Sequence, residues 1–123
     1  MQYKRSSRVA DQIRKDVSEI ILLSLKDPKL GFITITHVEL TDDLRYAKIF
    51  YTVLGEEEAR KESQKGLERA KGFIQREMGR RIRLKHTPEI IFKYDHSIER
   101  AARIEQLLKQ MQKQSRLEDE RKI

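Results

Sequence analysis

Apolar positions along this chain recur in two rhythms. Val9, Ile13, Val17 and Ile20 fall three or four residues apart, the spacing of a helix with one buried face. Lys4, Arg5, Arg8, Arg14 and Lys15 lie on or near its outer side, and Ser6 or Ser7 is placed to cap its start. The helix should run to about Lys26 and stop at Asp27-Pro28, since the residue before proline avoids helical ψ, and Gly31 then permits a turn. The rhythm changes to alternation from Phe32 to Leu40, a β-branched stretch that predicts a strand. A turn at Thr41-Asp42-Asp43-Leu44 leads to a second strand, Tyr46 to Val53, completing an antiparallel hairpin closed by Leu54-Gly55. Helical spacing returns from Glu56 to about Arg69, with Glu56–Arg60 and Glu57–Lys61 at the favourable i,i+4 order. Ala70-Lys71-Gly72 should interrupt or bend this run before a further helix continues to about Lys85. Pro88 opens a third strand, Glu89 to Tyr94, and Asp95 or Ser97 caps a last helix whose apolar face is Ala101, Ile104, Leu107, Leu108 and Met111.

These elements predict an α+β fold in the order α-β-β-α-α-β plus a C-terminal helix. A three-stranded sheet would have its helices packed on one face, and a helix kink would fall at Ala70-Lys71-Gly72. That is the order of a type II KH-like domain, a module that clamps nucleotide backbone between two helices. Residues 1–112 form this domain; residues 113–123 are charged, lack periodicity and are expected to be a mobile tail. At 123 residues there is room for one modest core.

Charge narrows the class of partner. The chain carries 27 Lys and Arg against 20 Asp and Glu, a net +7. This favours an acidic partner: nucleic acid first, an anionic membrane surface second. No cysteine is present, which excludes disulfides and thiolate zinc sites and suits a reducing cytosol. The N-terminal residues lack the apolar core of a signal peptide and no apolar run reaches membrane-spanning length, so a cytoplasmic protein is expected. The charge is concentrated. Residues 69 to 86 hold seven Lys or Arg and one acid, Glu77. On a helical wheel Arg69, Arg76, Arg80 and Arg83 share a stripe, with Gly72 and Gly79 beside it and Ile74, Met78 and Ile82 opposite. Each helical glycine costs roughly 1 kcal/mol. Close approach of another backbone, such as a phosphodiester chain, would explain them, as would a kink or a helix end.

Candidate chemistry elsewhere is thin. His37 and His86 have no partner at metal-ligand spacing. A metal-dependent nuclease would have to be built from His37, Glu39, Asp42 and Asp43, yet turns need such aspartates anyway. Asp95-His96-Ser97 contains the three members of a hydrolytic triad, but adjacent residues do not face one another in that geometry, and helix capping is the simpler reading.

An ordered set of short pieces resembles the ribosome-binding factor A family, a group of bacterial small-subunit assembly factors. The pieces are Arg8-Val9; Lys26 to Gly31; Ile35 to Leu40 followed by Asp42-Asp43-Leu44; Ala47-Lys48-Ile49; Leu54-Gly55; Ala70 to Arg76; Pro88-Glu89; and Phe92 to Ser97. Together they span roughly residues 4 to 110. The resemblance implies a KH-like fold whose Gly-x-x-Gly loop is replaced by an Ala-x-Gly kink, here Ala70-Lys71-Gly72. It implies a non-catalytic monomer without cofactor, metal or small-molecule substrate, and without a membrane role. Such a protein would bind the immature 30S subunit and its 16S rRNA and support late rRNA maturation, notably in the cold. Without a free two-glycine loop, shape and phosphate contacts are expected in place of base reading. The candidate RNA contacts are Lys4, Arg5, Arg8, Lys71, Gly72, Arg76, Arg80, Arg81, Arg83 and Lys85. The alternative is a general nucleic-acid-binding or translation-silencing protein.

Overall fold

A computed structural model describes residues 5–25 and 32–121. The order is α1 (Arg5–Glu19, followed by a wide turn over Ile20–Ser24), β1 (Ile33–Leu40), β2 (Tyr46–Val53), α2 (Glu57–Arg81), β3 (Glu89–Tyr94) and α3 (Ser97–Arg121). The strands line up β1-β2-β3, with β1 antiparallel to β2 and β3 parallel to it. β1 bulges between Ile35 and His37, which turns Val38 and Leu40 back into phase with the core side. The expected Asp27-Pro28 stop and the Gly31 turn lie outside the described residues, as does Lys4.

The core forms where three apolar stripes meet. Ile13, Val17 and Ile20 come from the first helix; Ile35, Val38, Ala47, Ile49, Tyr51 and Ile90 from one face of the sheet; Leu67, Ile74 and Met78 from α2. Their burial drives the two-layer packing. The first helix ends in a turn widened to an i→i+5 bond, Leu25 N–H to Ile20 C=O at 3.2 Å. Ser6 and Ser7 stand inside α1, not at its start.

Three expectations about the helices change. The break at Ala70-Lys71-Gly72 does not divide the run: α2 is one helix of 25 residues. Its buried positions Ser63, Leu67, Ile74 and Met78 keep one face against the core on both sides of Gly72, and that shared burial outweighs the local cost of glycine. The helix also stops at Arg81, short of Lys85, because Ile82 turns extended (φ −112°, ψ 112°) and the chain folds back toward buried Pro88. Gly79 makes room for that return: a Cβ there would lie 2.7 Å from Thr87 Oγ1. Finally, α3 continues through Arg121, where a mobile tail was expected after Lys113. No glycine or proline falls between 97 and 121, and most of its residues favour helix.

The last helix also departs from the core it was expected to join. No residue of α3 is buried, and Ile104, Leu107, Leu108 and Met111 are all exposed. Contacts at its start set its direction. Asp95 accepts bonds from the Ser97 N–H (2.9 Å) and the Thr36 hydroxyl (2.5 Å). The Arg60 guanidinium lies 3.7 Å from the Tyr94 ring centroid and 2.8 Å from Glu99 Oε1. Arg60 thus serves the start of α3, not the expected pairing with Glu56.

Candidate nucleic-acid interface

A continuous α2 sets the phase of every side chain along it. Lys61, Lys65, Gly72 and Arg76 are all exposed. At about 100° per residue they share one face, opposite buried Leu67 and Ile74. Lys61 and Lys65 were missing from the sequence-based candidates, because a break at Gly72 would have uncoupled the phase of the two halves. Lys71 stands about 140° around the helix from Arg76 and is half-buried, so the two do not act from one face. Gly72 itself is open: a Cβ built there meets nothing within 4 Å. The space in front of it is free for an incoming backbone; Arg76 stands one turn on, Lys65 two turns back, and exposed Glu68 one turn back on the same face.

The remaining candidates divide by their partners. Arg81 Nη1 lies 2.8 Å from Glu19 Oε2 and 3.9 Å from Asp16 Oδ1, and ties the end of α2 to the end of α1. Asp16, buried in α1, also accepts a bond from Gln12 Nε2 at 3.1 Å. This cluster gives Arg81, unlike Arg76, two acidic partners within the fold. Arg80 is held by Glu77 at 3.1 Å, but its side chain is 76% exposed and can turn outward at small cost. Arg83 and Lys85 sit in the loop after α2, exposed, off the helical stripe expected for Arg83. Arg5 and Arg8 are exposed on the first turns of α1. Among the described residues Arg5, Arg8, Lys71, Arg76, Arg83 and Lys85 make no ion pair.

Glutamates also lie on α2, at Glu57, Glu58, Glu62, Glu68 and Glu77; the acids of the hairpin are engaged within the fold. Asp43 accepts bonds from the Thr41 hydroxyl (2.6 Å) and the Arg45 N–H (3.1 Å), which hold the hairpin turn and keep its carboxyl below the usual range. Leu44 closes that turn at φ 62°, a left-handed position rarely given to leucine. Asp42 Oδ1 lies 3.4 Å from the Ser6 hydroxyl. Among the described residues no group of three or more His, Asp or Glu is arranged to hold a metal ion. The Asp95-His96-Ser97 trio is spent on capping: the Thr36 and Ser97 bonds hold Asp95 down at about 2, and His96 turns to Glu99 at 3.3 Å. No described helix is long and apolar enough to cross a membrane.

Comparison with known proteins places this geometry. The family model for ribosome-binding factor A matches residues 5–108. Ribosome-binding factor A of Geobacter sulfurreducens is 50% identical over 117 residues, which is 95% of this chain and 99% of that one. A solution structure of a putative ribosome binding factor A from Thermotoga maritima is 39% identical, with a TM-score of 0.68 over 80% of this chain and 95% of that one. A Thermus thermophilus ribosome binding factor A, a homology model fitted into a cryo-EM map of its complex with the 30S subunit, is 25% identical with a TM-score of 0.59, covering 71% of this chain and 91% of that one. The family model over residues 5–108, together with a relative 50% identical over 95% of the chain, shows that the chain belongs to the ribosome-binding factor A family.

Proposed function

We propose that this protein is a non-catalytic assembly factor that binds the immature 30S subunit through phosphates of its 16S rRNA and supports late maturation of that RNA. The observation that carries this reading is the exposed face of α2, where the open position at Gly72 has Arg76 one turn on and Lys65 two turns back. A glycine inside a long helix that clears nothing within its own fold is suited to the close approach of another backbone. Arg5, Arg8, Arg83 and Lys85 extend the cationic surface beyond α2, with Lys71 on its flank and Arg80 at its end. Family membership, and the Thermus relative fitted into a 30S complex, support the small subunit as the partner. Selective binding to one rRNA conformation would favour that conformation without any chemical step.

Sedimentation of a lysate tests the reading. The protein should travel with free small subunits and not with complete ribosomes, and Arg76→Glu should release it. Equal retention on naked RNA, duplex DNA and isolated subunits would instead favour a general nucleic-acid binder.

A further inference from the structure

Among the described residues the outer edge of β1 is unpaired. Thr41 N–H donates to Tyr46 C=O at 3.0 Å, so alternation along the ladder makes Glu39–Lys48 and His37–Phe50 hydrogen-bonded pairs. Val38 and Leu40 therefore aim their backbone N–H and C=O groups away from β2. Among the described residues no further strand lies on that side. Beside this edge runs a groove of about 340 Å³ between β1 and the first half of α1, lined by Ser6, Ser7, Asp11, Val38, Glu39 and Leu40 among others.

Charge decides what suits it. Although the protein carries a net +7, the groove has Asp11 on its α1 side and Asp42 at its end against Ser6, while the Glu39 side chain lies on the outer face across from Lys48. An RNA backbone would be repelled there. An extended chain bearing lysine or arginine would find both backbone partners and opposite charge. We propose that the β1 edge and its groove take an extended, cationic peptide segment of a partner protein as a fourth strand. The added strand pairs with the backbone of Val38 and Leu40, and its basic side chains lie on the α1 side, toward Asp11 and Asp42. The cationic face of α2 and the acidic edge of β1 then serve two chemically different partners.

The test uses the full chain and a nine-residue synthetic peptide of alternating lysine and valine. NMR titration should shift resonances of β1, and the Val38 and Leu40 amides should exchange at least about tenfold more slowly with peptide bound. The same peptide N-methylated at alternate bonds should not bind, because it cannot complete the ladder. Asp11→Asn with Asp42→Asn should weaken binding about tenfold. No protection at Val38 and Leu40 overturns the proposal. So does equal binding of a glutamate–valine peptide, or protection of the same amides by an oligoribonucleotide. The assay contains no ribosomal component, so its result stands apart from the RNA reading.

Discussion

A methyl group added at Gly79 would press on the Thr87 side chain at 2.7 Å, whereas one added at Gly72 would meet open space. The two glycines lie seven residues apart on one helix and share the same intrinsic penalty. Gly72→Ala should raise stability by up to about 1 kcal/mol, readable as a higher Tm. Gly79→Ala should gain about 1 kcal/mol less, since Thr87 must rotate away. Gly72→Leu separates stability from function: the helix should hold, and small-subunit affinity should fall if another backbone approaches that position. Asp95 supplies a second test at this scale. Its carboxyl is held at about 2, chiefly by the Thr36 hydroxyl and then by Ser97. The unfolded chain titrates nearer the usual carboxylate value of about 3.9. A group depressed on folding contributes stability that is complete above the unfolded pKa and disappears as pH falls through the folded one. Asp95→Asn should therefore lower stability at neutral pH and flatten its decline between about pH 4 and pH 2 relative to the parent. Parallel acid limbs would show that the Thr36 and Ser97 bonds give no net stabilisation.

Between elements, two arginines five residues apart on α2 stand in different surroundings. Arg81, 32% exposed and bridged to Glu19 and Asp16, joins α2 to α1; Arg76 is exposed and faces solvent. Arg81→Ala should cost about 1 kcal/mol in denaturant unfolding. Arg76→Glu should leave the thermal transition nearly unmoved while weakening binding to small subunits. If Arg81→Ala left stability untouched and abolished binding, the division would be reversed. Sequence periodicity placed β2 and β3 within their observed bounds, because a strand's alternation is local and complete in a few residues. The single helix from Glu57 to Arg81 was not legible, because a mid-helix glycine signals a break unless buried contacts on both sides hold the helix together. The apolar face of α3 misled for a related reason: amphipathic spacing reports a stripe, not whether anything covers it. Because no α3 residue is buried, a chain ending at Arg100 should unfold within about 4 °C of the full protein. A larger drop would mean that α3 braces the domain after all.

Across the whole molecule, the charge is divided. The proposed RNA surface draws on the cations of α2, of the loop after it and of the first turns of α1. The proposed peptide site draws on the carboxylates of the groove and the hairpin. If about five phosphates are neutralised on binding RNA, the logarithm of affinity should fall with the logarithm of salt at a slope of roughly −3.5 to −4.5. A slope near zero would remove the electrostatic basis of the interface. The sequence by itself determined the strands, the limits of a small core and the net positive charge, because alternation, apolar spacing and composition are carried by neighbouring residues. It also held the short ordered pieces that resemble the family. Only the tertiary structure decided which arginine was spent on an internal bridge, which glycine faced open space and which strand edge stayed unpaired. Those outcomes depend on residues distant in sequence, Arg81 with Glu19, Gly79 with Thr87, Asp95 with Thr36, and no local pattern contains the distance between them.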